Sequence, residues 1–167
     1  LKKRAAPSIT PNIELIKRFL KTLPFQLTDG QKKAAWQIIQ DLEHKHPMNR
    51  LLQGDVGSGK TLVALLATLE IIDKGFQVAL LAPTEILARQ HYDSFINYLH
   101  TSKKAFGTRK INIGLLTRTF HNINGQIVLK KDFLKQLESG GINIVIGTHS
   151  IIQGHTAFHN LAFLIVD

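Results

Sequence analysis

The 167-residue chain has no cysteine, which removes disulfides, thiolate zinc sites and cysteine nucleophiles together and fits a reducing compartment, the cytoplasm by default. Long apolar runs are missing as well. The longest, residues 62–72, is interrupted by Thr68 and Glu70 and falls short of the roughly 20 residues a membrane helix needs, so no membrane association is expected. Acidic residues are scarce, 12 Asp plus Glu against 21 Lys plus Arg, and the formal charge of +9 favours an anionic partner, nucleic acid first. The basic Lys2, Lys3 and Arg4 are followed by Pro7, Ser8, Thr10 and Pro11 instead of an apolar stretch, so no secretory leader is expected. The chain starts at Leu1 and stops at Asp167, immediately behind the apolar run of residues 163–166, and both ends read as cut. With 44% hydrophobic and 20% charged positions, it reads as one ordinary globular domain able to bury its own core.

Helical and strand patterns alternate along the chain. Thr10 and Pro11 read as N-cap and first position of a helix whose apolar face is Ile13, Ile16, Phe19, Leu20 and Leu23. Pro24 stops it, and Thr28 with Gln31 forms a capping box that opens a second helix, ending near His46 and Pro47. Residues 50–53, 78–82, 111–116, 142–146 and 163–166 read as strands, and residues 60–74, 85–100 and 130–139 as helices. Gly75 and Gly140-Gly141 stand where helix stops belong. Strands alternating with crossover helices imply an α/β fold, a parallel sheet covered by helices on both faces and preceded by N-terminal helices. Residues 118–126 lack periodicity and are expected to form a surface loop.

One motif carries chemistry. Gly54-Asp55-Val56-Gly57-Ser58-Gly59-Lys60-Thr61 fits G-x-x-x-x-G-K-[ST] between an expected strand and an expected helix, the context a phosphate loop requires. Its glycines let backbone N–H groups converge on phosphate oxygens, the helix N-terminus adds its positive end, Lys60 reaches the terminal phosphates and Thr61 offers a hydroxyl to Mg²⁺. A nucleoside triphosphate is the expected ligand; the plain alternative is a flexible glycine turn. An NTPase also needs a carboxylate at the end of an apolar strand to hold the magnesium, and Asp167, after Leu164-Ile165-Val166, is the candidate; otherwise it is an ordinary polar strand end. The residue after it, where a water-orienting carboxylate belongs, lies beyond this sequence, so the hydrolytic site is expected to be incomplete.

Leu23-Pro24-Phe25-Gln26-Leu27-Thr28 with Gln31, and Pro47-Met48-Asn49-Arg50-Leu51-Leu52-Gln53 leading into the phosphate loop, closely resemble the RecG family of superfamily 2 DNA helicases. Ala82-Pro83-Thr84-Glu85-Ile86-Leu87-Ala88-Arg89-Gln90-His91 is similar to that family's motif Ia, Gly147-Thr148-His149-Ser150-Ile151-Ile152 to its next DNA-facing motif, and Ile165-Val166-Asp167 to the opening of its DEQH box. The translocase of transcription-repair coupling factors is the close rival. The resemblance implies a RecA-like P-loop NTPase fold and divides the chain into a lead-in and linker helix (residues 1–22) and a first RecA-like ATP-binding motor domain (residues 23–167) that stops at the Asp of the DExH box. It implies ATP and Mg²⁺ as cofactors, with Phe25 stacking on adenine and Gln31 reading its edge, whereas the plain readings are a core aromatic and a helix cap. It further implies a monomeric, cytoplasmic, nucleoid-associated parent that acts on branched or double-stranded DNA in recombination and repair, with a wedge domain and a second RecA-like domain missing from this chain. The pattern departs at Leu116-Thr117-Arg118-Thr119-Phe120, where the family carries Gly-Ser after Leu-Thr.

Thr84, Arg89, Thr148 and His149 follow strands of the expected sheet and would project from the carboxyl edge shared with the phosphate loop, a placement suited to gripping DNA phosphates without reading sequence. Taken singly, a Thr after a strand is more often a helix cap. The basic stretch of residues 101–110 is either a DNA-facing loop or a solvated connector, and the second use is the commoner. The 8 His, including His44 with His46 and His155 with His159, lack the partners of a zinc site. A stand-alone fragment that binds nucleotide without turnover is the competing hypothesis. A small-molecule kinase or GTPase fares worse, for lack of an Asn-Lys-x-Asp motif.

Overall fold

A computed structural model describes residues 5–151 and 156–167 of the chain. Lys2, Lys3, Arg4, Ile152 and His155, all invoked above, lie outside the described residues. The first helix, α1 (Ile13–Leu20), begins later than expected because Asn12, not Thr10, caps it: the Asn12 side-chain oxygen accepts from Leu15 N at 3.2 Å. In α2 (Asp29–Leu42) the expected capping box is present, with Thr28 and Gln31 each accepting from the other's main chain. Almost every residue of α3 (Lys60–Asp73) from Leu62 onward is buried, consistent with its nearly uninterrupted apolar sequence.

Then come β1 (Gln77–Leu81), α4 (Glu85–Thr101), β2 (Ile113–Leu116), β3 (His121–Ile123), β4 (Gln126–Ile127), α5 (Lys130–Glu138), β5 (Ile144–Gly147) and β6 (Leu161–Val166). They form one six-stranded sheet in the order β4-β3-β2-β5-β1-β6. The strands β2, β5, β1 and β6 run parallel, as expected, while β3 and β4 run antiparallel, so the sheet is mixed at one end. Residues 118–126 are therefore not a plain loop. The turn between β3 and β4 is Asn124-Gly125, with φ of 51° and 86°, the left-handed pair that a two-residue hairpin demands.

The expected strand at residues 50–53 is absent: these residues join no ladder, Leu51 is exposed, and β6 is the edge of the sheet. Only Leu52 packs against the core there, too little apolar surface to hold a strand in place.

Strand alternation divides the core. Val78, Leu80, Ile113, Leu115, Ile144 and Ile146 face a large cluster built with α1, α2, α3 and α4, whereas Ala79, Leu81, Leu116 and Val145 face Phe133 and Leu137 of α5. Each fully buried Leu, Ile or Phe contributes about 1.5–3 kcal/mol. Gly114 lets Phe133 reach the sheet, since a Cβ there would lie 2.6 Å from the Phe133 ring. Phe19 of α1 is completely buried and Ile9 nearly so, so residues before 23 pack into the same core as the sheet.

Candidate nucleotide site and carboxyl edge

Because four strands run parallel, the segments leaving β1, β2, β5 and β6 emerge on one edge of the sheet. The turn at Gly75 connects α3 directly to β1, so α3 runs opposite to that strand and its N-terminus lies at the same edge. This is how residues scattered from 54 to 167 come to share one surface.

The phosphate loop is held open by its backbone. Gly57 and Gly59 have φ of 82° and 83°, a left-handed conformation that side chains rarely adopt, and Gly59 caps α3 with no side-chain hydrogen bond. The first N–H groups of a helix have no partner within it, and no capping side chain competes for them here, so they can serve an anion. A Cβ on Gly54 would lie 2.6 Å from Ser58 Oγ, and one on Gly59 would collide with Gln31 Nε2. Lys60 Nζ donates to the carbonyls of Gly54 at 2.7 Å and Asp55 at 2.8 Å, which places its charge within the loop. The donor set fits a polyphosphate. Thr61 at the start of α3 and Asp167 supply a hydroxyl and a carboxylate, oxygen donors of the type Mg²⁺ takes.

Gln31 does two things at once. Its Oε1 completes the cap of α2, and its Nε2 donates to the Ser58 carbonyl at 2.8 Å. Phe25 is 45% exposed and, with Leu20, Lys21, Leu23, Pro24 and Gln26, lines an open groove of about 460 Å³. The ring is thus not a core aromatic.

Asp167 sits at the end of β6, its N–H donating to the Leu81 carbonyl at 2.9 Å. Its Oδ2 accepts from His91 Nε2 on α4 at 2.7 Å. A carboxylate can only accept, so Nε2 carries the proton. No sequence signal joined these residues, which are 76 positions apart.

Thr84 is the N-cap of α4 and accepts from Leu87 N at 3.2 Å, so its hydroxyl has the capping role. Arg89 lies over the Phe120 ring, 4.2 Å from its centre. Glu85 accepts from Arg118 N at 3.0 Å and from Thr119 Oγ1 at 2.9 Å, tying the unusual Arg118-Thr119 turn to the start of α4. The Thr119 hydroxyl and, with it, the Arg118 N–H hold the Glu85 carboxyl below its ordinary value, outweighing desolvation. Thr148 directly follows β5, and the exposed His149 opens a short 3₁₀ turn, His149–Ile151, whose Ile151 N–H returns to the Thr148 carbonyl at 3.0 Å. All of these stand at the carboxyl edge. Residues 101–110 do not: they join the end of α4 to the start of β2, at the amino edge, where Arg109 pairs with Asp73 at 2.7 Å.

A family model described as DEAD/DEAH box helicase matches residues 28–167. The ATP-dependent DNA helicase RecG of Aquifex aeolicus is 41% identical over 167 residues, 100% of this chain and 20% of the relative. That of Haemophilus influenzae is 47% identical over 154 residues, 92% of this chain and 20% of the relative. The ATP-dependent DNA helicase homolog RECG1, chloroplastic/mitochondrial, of Arabidopsis thaliana is 44% identical over 153 residues, 92% and 15% respectively. A solved structure of RecG bound to a three-way DNA junction superposes with a TM-score of 0.79 at 34% identity, over 97% of this chain and 24% of that one. The chain spans about a fifth of the length of the RecG relatives just named from Aquifex and Haemophilus.

Proposed function

The chain belongs to the DEAD/DEAH box helicase family, and on that premise we propose that it is the ATP-binding part of a RecG-type motor that remodels branched DNA. The observation that carries the reading is the N-terminus of α3, where no side chain caps the helix, wrapped by left-handed Gly57 and Gly59 and served by Lys60, on the same sheet edge as Thr84, Arg89, Thr148 and His149.

In this reading the backbone amides of the loop and the Lys60 ammonium hold the β- and γ-phosphates, Lys60 exchanging its two carbonyl partners for phosphate oxygens. Gly54, Asp55 and Ser58 shape the loop around them. Phe25 stacks on the adenine beside its groove, and Gln31 reads the base edge while keeping the loop in register with α2. Thr61 and Asp167 would hold Mg²⁺, which neutralises phosphate charge when bound. Thr84, Arg89, Thr148 and His149 grip DNA phosphates, as a translocase requires.

Residues 1–22 act as lead-in and residues 23–167 as the first motor domain of a monomeric parent that adds a wedge and a second RecA-like domain and works at the nucleoid in the cytoplasm. The match of the family model to residues 28–167, and the fifth of the Aquifex relative's length that the chain spans, support reading it as the motor part of a longer protein.

Titration of a fluorescent ATP analogue into this chain, with ATP and GTP as competitors, tests the nucleotide reading. Saturable binding displaced by ATP and abolished in Lys60→Ala is the expected result. Equal binding by Lys60→Ala, or a preference for GTP, would overturn it. Phosphate release stimulated by a three-way DNA junction would separate an active motor from a chain that binds without turnover.

A further inference from the structure

The structure assigns His91 as a positioning residue for the Asp167 carboxylate; the inference rests on reading Asp167 as the metal-holding carboxylate. Asp167 directly follows the edge strand with its side chain 42% exposed, and a carboxylate on a freely rotating stem there would give up rotational freedom, at an entropic cost, each time a cation binds. Its main chain is anchored by the N–H bond to Leu81, but that bond leaves the side chain free to turn. The side-chain constraint comes from α4, where the His91 ring, only 18% exposed, donates from Nε2 to Oδ2 at 2.7 Å. The ring is well placed to act as a fixed post, since the residue following it, Tyr92, is buried with its hydroxyl donating to Asn122 at 2.6 Å, and Ala88 and Phe95 are fully buried on the same helix. One N–H bond occupies one of the roughly four acceptor sites of a carboxylate, so the group stays able to accept a cation while its plane is set. Hydrogen bonds of this kind to metal-holding carboxylates are worth about 10–100-fold in metal affinity.

The same contact has an opposite physical meaning if the ring only fills space that a cation takes: removing it would then ease cation binding. The sign of the effect therefore decides the matter. Half-saturation by Mg²⁺ is read from the binding of a fluorescent ATP analogue to the wild-type chain, His91→Ala, His91→Gln and Asp167→Asn, alongside binding without Mg²⁺. His91→Ala is expected to need about tenfold more Mg²⁺, to bind the nucleotide unchanged without Mg²⁺, and to be restored in large part by His91→Gln, whose amide can donate to the same oxygen.

An unchanged or lower Mg²⁺ requirement in His91→Ala would overturn the assignment, and the lower value would show competition between ring and cation. A loss of Mg²⁺-free binding equal to the loss with Mg²⁺ would also overturn it, as plain structural damage. If Asp167→Asn leaves the Mg²⁺ requirement untouched, the reading of Asp167 fails first. If Asp167→Asn raises it and His91→Ala does not, only the role of His91 fails. Should His91→Ala not fold, His91→Gln against His91→Leu in the same titration decides the question.

Discussion

Gln31 donates from its side-chain amide to the main-chain carbonyl of Ser58 at 2.8 Å, so the cap of α2 and the phosphate loop share one side chain. The other end of that amide accepts from Thr28 N at 2.9 Å.

The two functions of Gln31 separate by substitution. Gln31→Glu keeps an acceptor for the cap and removes the donor to Ser58, so thermal stability should change little while affinity for an ATP analogue falls. Gln31→Ala removes both, so it should lower thermal stability as well as affinity, since the Thr28 N–H loses its acceptor. Thermal melts and nucleotide titrations of the two variants should differ in this order; equal affinity in wild type and Gln31→Glu would detach the contact from nucleotide binding.

Gly59→Ala should be damaging for two reasons that act together. The backbone φ of 83° disfavours any Cβ by about 1–2 kcal/mol, and the new methyl would collide with Gln31 Nε2. Gly125→Ala, in the hairpin turn at φ 86° but with open space around it, is the matched control for backbone strain alone. Both should lower the melting temperature, and only Gly59→Ala should lose nucleotide binding.

Glu70 is fully buried in α3 and accepts from Asn12 N at 2.7 Å, while its Oε1 has no hydrogen-bond partner among the described residues. Burial pushes its carboxyl above the ordinary 4.5; the Asn12 N–H and the charge of Lys74 act against this and Asp73 acts with it. A carboxyl with a raised folded value gives stability that is complete at acid pH and is lost as pH rises through that value. Glu70→Gln should therefore melt higher than wild type at pH 8, with about 2–4 °C for each 1 kcal/mol relieved, and the gap should close below the ordinary 4.5. A gap that is constant from acid to alkaline pH would refute the linkage.

Arg89 stacks on Phe120 at the carboxyl edge, which leaves its exposed guanidinium charge available to a phosphate. Arg89→Ala should weaken binding to junction and linear DNA alike and reduce the slope of log affinity against log salt by about 1. Lys103→Ala, at the amino edge, should leave that slope unchanged. Equal effects of the two would mean that DNA does not lie along the carboxyl edge.

Local chemistry, read along the chain, determined the glycine turn that opens into α3, the capping box of Thr28 and Gln31, the extents of α3, α4 and α5 within a residue or two, and the parallel strands β1, β2, β5 and β6. Each of these rests on neighbours close in sequence: glycine spacing, a cap three residues from its partner, apolar periodicity. The Asn124-Gly125 hairpin was legible by the same logic, since that dipeptide favours the left-handed turn it adopts, although the missing periodicity of residues 118–126 hid it.

Tertiary structure alone decided the rest. Whether residues 50–53 pair with an edge strand depends on what lies beside them, and apolar composition is silent on that. Asn12 replaced Thr10 as the cap of α1 because it also binds Asp73 at 3.1 Å and, through its N–H, Glu70, both on a helix some sixty residues away. The His91 to Asp167 bond, the Gln31 to Ser58 bond and the tie of Glu85 to residues 118 and 119 arise in the same way. A hydrogen bond needs two groups within about 3 Å, and only the tertiary fold, through the parallel sheet and the helices packed against it, brings these groups that close.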